Sequence, residues 1–247
     1  MVERTSKTDC WLPLGQALKD YQEGNLDAAV TVHVDDGTEE RLPAALFFRT
    51  PDEFPATEKT ALELCRGTVL DLGAGAGAHA LALQERGMSV CAVDVSAWAV
   101  EIMRQRGVQT ARLGDLFELD VDVYDTVLMM MNGVGAVENL DGLDRFLKKI
   151  RDVIHPEGQI LLDSTDVRRT RNLIERRAMD LRRREGRYPG EVRFRMEYGG
   201  HLGPMFSWLF VMPETLAERA HRAGWISQVV YEEENGEYLA RLVRPGA

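Results

Sequence analysis

The segment VLDLGAGAGAHALAL, from Val69 to Leu83, sets three alternating glycines between a short apolar run and a helix-like one. A strand that turns through glycines into a helix brings backbone close to a ligand and aims free helix N–H groups at it. Such a turn belongs in an open α/β sheet, and the chain after Gly67 keeps the matching rhythm. TVLDLG, GAHALALQERG, SVCAVD, SAWAVEIMRQRG and VQTARLGD alternate apolar runs with amphipathic ones, as successive βα units do. YDTVLMMM is apolar on both faces, as a central parallel strand would be. LDGLDRFLKKIRDVI then reads as a helix stopping before His155-Pro156-Glu157-Gly158, and QILLDS as the next buried strand.

The flanks read differently. LPLGQALKDYQ is a short helix, Asp36-Gly37 favours a hairpin turn between two apolar runs, and FPATEKTALELC is helical with Thr57 available as its cap. Beyond Asp166, RRTRNLIERRAMDLRRREGR is a highly charged helix closed by Tyr188-Pro189-Gly190, which marks an insertion. EVRFRMEYGG and MFSWLFV are strands, PETLAERAHRAG is a helix, and ISQVVYEEENGEYLARLVR holds two strands across Glu234-Asn235-Gly236. The expected fold is α/β: a Rossmann-like three-layer sandwich with a mostly parallel seven-stranded sheet and an antiparallel C-terminal strand. Residues 1–53 form an N-terminal cap or lid, 54–165 the ligand-binding core, 166–204 a substrate-side insertion, and 205–247 the C-terminal part of the same core sheet.

The 247 residues, 45% hydrophobic and 28% charged, suit one folded domain with embellishments. A net charge of −10 opposes a polyanionic partner, so nucleic acid is disfavoured. The three cysteines, Cys10, Cys65 and Cys91, have neither disulfide nor metal spacing. MVERTSKTDCW has no apolar leader and no run is long enough to span a bilayer, so the expectation is a cytoplasmic protein without membrane contact. A homodimer is compatible with these features.

GAGAGA, Gly73 to Ala78, satisfies a dinucleotide-binding pattern with alanine in last place. Asp71 argues against that ligand, because a carboxylate beside the loop repels a pyrophosphate and suits a ligand that carries positive charge there. S-adenosylmethionine, with an ammonium, a sulfonium and no phosphate, is such a ligand.

At these residues the chain resembles the class I S-adenosylmethionine-dependent methyltransferases, whose first motif is an acid, a spacer and alternating glycines, here Asp71, Gly73, Ala74, Gly75 and Gly77. The resemblance runs over roughly residues 54–165. It implies that Asp94 in VDVS accepts the ribose hydroxyls, that Val95 lies against adenine, and that Asp115 in RLGDLF takes the adenine amino group with the Leu116 backbone on a ring nitrogen. It also implies that Met131 and Asn132 in YDTVLMMMNGVG stand near the sulfonium and the incoming nucleophile, although the Asn/Asp-Pro-Pro-aromatic form of base and glutamine methylation is missing. FFR, MNGVG, LLDSTD, YPG and YLARL resemble a bacterial methyltransferase-domain subgroup of unknown substrate.

Other candidates carry two readings each. Asn132 either serves the site or satisfies its own turn, and Asp115 is a turn residue if not a ligand. Asp163, Ser164 and Asp166, at the end of the fifth core strand, could steer substrate, abstract a proton or hold a cation, or else Ser164 or Asp166 caps a helix. No metal is expected, because Asn132 is a weak partner for a hard ion. Arg49 either clamps the cofactor's carboxylate or is a surface arginine. His79 reads as a base or, since a helix N-terminus disfavours the imidazolium, rather as packing. Tyr188, Arg193, Arg195, Tyr198, His201 and Trp208 are candidates for the acceptor pocket. The arginines from Arg168 to Arg187 form a solvated helix face, or gather an anionic partner.

The sequence therefore points to direct methyl transfer from S-adenosylmethionine to a small-molecule acceptor, with Asn132, Asp163 and Asp166 as catalytic candidates. The rivals are a tRNA or rRNA methyltransferase that uses the arginine helix, and a cofactor-binding regulator without transfer activity.

Overall fold

The computed structural model describes residues 7–119 and 122–246. In chain order its elements begin with α1 (Leu12–Gln22), β1 (Ala29–Val34), β2 (Glu39–Pro43) and α2 (Ala56–Leu64). Alternation follows: β3 (Val69–Leu72), α3 (Ala78–Glu85), β4 (Val90–Asp94), α4 (Ala97–Arg106), β5 (Ala111–Leu113), β6 (Tyr124–Met129), α5 (Leu140–Lys149) and β7 (Ile154–Thr165). The chain ends with α6 (Leu173–Arg184), β8 (Glu191–Tyr198), β9 (His201–Leu202), β10 (Phe206–Leu209), α7 (Pro213–Arg222), β11 (Ile226–Glu232) and β12 (Glu237–Val243).

The seven-stranded sheet has the order β11-β12-β7-β6-β3-β4-β5. Strands β3 to β7 run parallel, and β12 lies antiparallel to both β7 and β11. Side chains alternate across the sheet as the pleat requires. Leu70, Leu72, Val127 and Met129 face a core with Phe146 and Leu147 of α5 and Leu216 and Ala220 of α7. Val69, Ala92 and Leu128 face the opposite core with Leu62 of α2, Leu83 of α3 and Met103 of α4. This is the expected three-layer α/β sandwich.

A second, smaller sheet has the order β10-β8-β1-β2, with β9 beside β8. It joins the hairpin across Asp36-Gly37 to strands more than 150 residues away, with Thr31 opposite Glu197 and Val34 opposite Phe194. The sequence reading assigns 206–209 to the core sheet, and here the structure differs. β10 folds straight back on β8, pairing Phe206 with Phe194 and Trp208 with Val192, because a short connection favours the neighbouring strand. Helix α1 packs Leu14, Ala17 and Leu18 against Val30 and Met196 of this sheet and Ala76 and Ile102 of the core.

Arg106, at the end of α4, fastens the N-terminal segment to the glycine turn. Its Nη1 donates to the Ala76 carbonyl at 2.5 Å and to the Phe47 carbonyl at 3.4 Å, and its guanidinium stacks over Phe48 at 4.8 Å. Substituting Arg106→Met keeps the stem and removes the donors. Urea unfolding should show a stability loss of about 1–3 kcal/mol, with the far-UV circular dichroism of the folded state unchanged.

Candidate functional site

The C-terminal edge of the parallel strands opens into a cavity of about 950 Å³ that also reaches the small sheet and α1. This lies at the upper end of the range for small-molecule sites. Its floor is the turn after β3. Gly73 has φ +75, and a Cβ there would meet nothing within 4 Å, so its bare backbone faces open space. At Gly75 a Cβ would stand 2.9 Å from Phe47 Cδ1, so the cap sits directly on the turn. Gly77 begins α3, and its Cβ would fall 2.8 Å from Val108 Cγ2. Gly77 and the buried Ala74 therefore serve packing, and neither lines the cavity.

Two carboxylates hold the turns at the strand ends. Asp94, the last residue of β4, accepts the Gly75 N–H at 2.9 Å with Oδ2 and the Ser96 N–H at 2.8 Å with Oδ1. Asp163, on β7, accepts the Asn132 N–H at 2.8 Å and the Gly133 N–H at 2.9 Å. Those amides follow β6, where Met131 and Asn132 take left-handed φ values of 64° and 57°. Such conformations are uncommon without glycine and cluster at functional sites. Asp115 accepts the Phe117 N–H at 2.9 Å. Val95, Asp115, Leu116, Met131 and Asn132 all line the cavity.

Burial raises three of these acids. Asp94 is pushed up to about 6 by desolvation, against the lowering effect of its amide partners. Asp163 is also held near 6, by desolvation that its own two N–H donors only partly offset. Asp71, 2% exposed, is lifted to about 6 by burial and by the neighbouring Asp94 charge, while His79 opposes the shift. The Oδ2 of Asp71 has no hydrogen-bond partner, and Asp71 sits behind the cavity wall rather than in it.

Glu58 is a residue that sequence reasoning missed. It is buried on α2, accepting from Arg49 Nη2 at 2.7 Å and pairing with His79 Nε2 at 2.8 Å. Burial alone would raise its carboxyl, but His79 and Arg49 together outweigh that and hold it below the ordinary value. Arg49 thus lies at the cavity edge, already engaged by Glu58 and by the Leu46 carbonyl. Thr57 does not cap α2, since Pro55 stands at that position. Instead its Oγ1 is buried without a partner, and so are both polar atoms of the Asn132 amide. Buried polar groups in folded proteins are nearly always satisfied, so these three atoms at the cavity call for a bound molecule.

Asp166 is not brought to this cavity. Its carboxylate accepts from Arg168 Nε at 2.8 Å and Nη2 at 2.7 Å, and it borders a separate cleft of about 660 Å³ beside α6. Ser164 Oγ accepts the Val211 N–H at 3.0 Å. Of the aromatic and basic acceptor candidates, Trp208 lines the cavity, whereas the Tyr188 hydroxyl accepts the Met212 N–H at 2.9 Å and the Tyr198 hydroxyl donates to Asp20 Oδ2 at 2.7 Å. Glu138, Trp11, Phe194 and Phe206 line it as well, with no local signal to announce them. Among the described residues no cluster of three His, Cys, Asp or Glu side chains could hold a metal. No helix among them is long and apolar enough to cross a membrane.

The family model described as "Methyltransferase domain" matches residues 69–158. The structure of an S-adenosylmethionine-dependent methyltransferase from Bacteroides fragilis, in complex with S-adenosyl-L-homocysteine, is 34% identical with a TM-score of 0.84, covering 97% of each chain. The cypemycin N-terminal methyltransferase of a Streptomyces species is 33% identical over 103 residues, 40% of this chain and 42% of that protein, so under half of that relative is spanned. The CcbJ methyltransferase of Streptomyces caelestis, 16% identical with a TM-score of 0.60 over 78% of this chain and 94% of its own, shares the fold.

A carboxyl raised on folding keeps a proton that the unfolded chain has released, so its contribution to stability falls as pH rises from about 4 to about 6. Replacing Asp71→Asn removes that loss. Relative to the parent, the ligand-free variant should gain stability progressively between about pH 4 and pH 6 and hold a constant advantage above it. Urea midpoints measured across that window check the sign.

Proposed function

This chain belongs to the S-adenosylmethionine-dependent methyltransferases, and from that premise we propose that it methylates a small molecule bound beneath its cap. The observation that carries this reading is the single cavity joining the glycine turn to the small sheet, with the unsatisfied Thr57 hydroxyl and Asn132 amide on it. When bound, S-adenosylmethionine supplies a methyl group already activated on a sulfonium.

The chain's own residues then bind, orient and exclude water. Asp94 has the two oxygens to accept neighbouring ribose hydroxyls, and Asp115, with Leu116 and Val95, forms the adenine end. Gly73 leaves room for the methionyl end, with the Asp71 charge behind it, and Arg49 stands where a carboxylate would meet it. Asp163 acts as a positioning residue, fixing the Met131–Asn132 turn so that the Asn132 amide faces the acceptor. Asp166 takes no part in this reading. The described part of the N-terminal cap, residues 7–53, and the 166–204 segment close the pocket and keep water out.

Two further points support a small acceptor within a reducing compartment such as the cytoplasm. Five of the nine arginines between 168 and 187, Arg168, Arg169, Arg182, Arg183 and Arg187, have a carboxylate partner, so part of the segment's positive charge is compensated within the protein rather than offered to a nucleic acid. Cys10, Cys65 and Cys91 are all buried and form no disulfide.

Calorimetric titration with S-adenosylhomocysteine tests the cofactor reading. Asp94→Ala should weaken binding by about a hundredfold or more, as expected when charge-assisted hydrogen bonds to both hydroxyls are lost, while circular dichroism shows an intact fold. Unchanged affinity would remove Asp94 from the site.

A further inference from the structure

Three charged or titratable side chains from three segments meet next to the glycine turn. Arg49 belongs to the N-terminal cap, Glu58 to the first turn of α2, and His79 to the first turn of α3. The two oxygens of Glu58 divide between the other two: Oε1 accepts from Arg49 Nη2 at 2.7 Å, and Oε2 pairs with His79 Nε2 at 2.8 Å. The Arg49, Glu58 and His79 side chains are 14%, 5% and 7% exposed, so these are not solvated surface charges. Phe54, itself buried, lies against both ends, with the His79 ring 5.0 Å and the Arg49 guanidinium 5.6 Å from its own ring.

A buried ion pair adds little net stability over an apolar contact of the same size, so its use lies in what it fixes. Here it fixes Arg49. The Nε of Arg49 donates to the Leu46 carbonyl at 2.8 Å, and with Nη2 held by Glu58 one edge of the guanidinium is committed to the protein. Nη1 has no hydrogen-bond partner among the described residues, and Arg49 lines the same cavity as Gly73. Phe47, two residues earlier, is the side chain that a Cβ at Gly75 would strike, which puts this part of the cap over the glycine turn. His79 does not line the cavity, and it reaches Arg49 only through Glu58.

We propose that Glu58, braced by His79, is a positioning residue: it holds the Arg49 guanidinium so that Nη1 meets the carboxylate at the methionyl end of the cofactor. The inference rests on the reading of this cavity as an S-adenosylmethionine site. Two effects of Glu58 oppose each other. Its charge repels a ligand carboxylate lying beyond Arg49, while its grip removes rotamer freedom that a long side chain would otherwise lose on binding. The repulsion is weakened because Arg49 stands between the two carboxylates and His79 partners the other oxygen. The grip costs the ligand little, since it uses one edge of a planar fork with five donors. Positioning therefore outweighs repulsion, and loss of Glu58 weakens the hold on the ligand's carboxylate.

A preference between two ligands tests this, because a merely structural role would move both affinities together. S-adenosylhomocysteine and S-adenosyl-3-thiopropylamine, which keeps the amine and lacks the carboxylate, are titrated calorimetrically into the full chain. The parent should prefer S-adenosylhomocysteine about tenfold or more. Arg49→Met should erase that preference. Glu58→Gln should cut it about threefold or more, with the decarboxylated ligand bound within about twofold of its parent affinity. Added to Arg49→Met, Glu58→Gln should change the preference no further, since it acts through Arg49. Glu58→Asp, which keeps the charge and shortens the reach, should show the same loss, and it decides the matter if circular dichroism finds the glutamine variant unfolded. A preference unchanged or larger in the Glu58 variants, equal weakening of both ligands, or a parent that binds the two alike would overturn the proposal. A parent that binds neither ligand would overturn the cofactor reading itself, and this inference with it.

Discussion

The Asp94 carboxylate, gripping the amides of Gly75 and Ser96, is the interaction on which the site depends. The glycine turn leaves β3 in a left-handed conformation, and β4 leaves the sheet beside it. Without a bridge, these two strand ends would be independent loops. With it, the glycine turn and the end of β4 move as one body. Asp163 repeats the device one strand pair away, with the amides of Asn132 and Gly133. The edge is thus a pair of turns, each fastened by an acid from a neighbouring strand, and preorganisation of this kind is what alignment for displacement requires.

These bridges carry an electrostatic penalty. Asp71, Asp94 and Asp163 are all raised to about 6 by burial, and Asp71 feels the Asp94 charge as well. A core selected for stability alone would replace such groups by apolar ones, since an unpaired buried charge is destabilising. Their presence makes sense if a ligand supplies the missing positive charge. The positive end of S-adenosylmethionine placed beside these acids would favour their ionised forms. Glu58 shows the contrast: equally buried, it has His79 and Arg49 as permanent partners and is held low.

What was legible in the sequence is what is local. Gly73, Gly75, Asp94 and Asp115 sit at strand ends defined by apolar alternation, so their convergence on one edge follows from the parallel topology alone. The seven-stranded sheet was legible for the same reason. The small sheet was not, because β1 and β8 pair across more than 150 residues and neither strand has a partner-specific pattern. Thr57 looked like a cap because threonine often is one, but Pro55 fixes the extended entry to α2 and leaves the hydroxyl pointing elsewhere. Asp166 looked catalytic by its place after β7, yet Arg168, two residues on, occupies it fully. Glu58 carries no signal at all, since its two partners arrive from other segments.

The division between local and remote has a physical meaning for this fold. The cofactor edge is built from consecutive βα units, whereas the aromatic wall of the cavity is assembled from Trp11 and from β8 and β10, segments at opposite ends of the chain. Exchanging side chains on that wall leaves the glycine turn and the Asp94 bridge untouched, so the far half of the cavity is free to vary over a constant strand-end scaffold. The strained backbone at Glu138 fits that view. A non-glycine residue in such a conformation stores on the order of 1–3 kcal/mol, and Gly133 and Gly135 nearby show that the turn has access to glycine where it needs it. Met131, Asn132 and Glu138 are the non-glycine residues with positive φ among those described, and all three line the cavity, so the backbone strain of this edge is concentrated at the site.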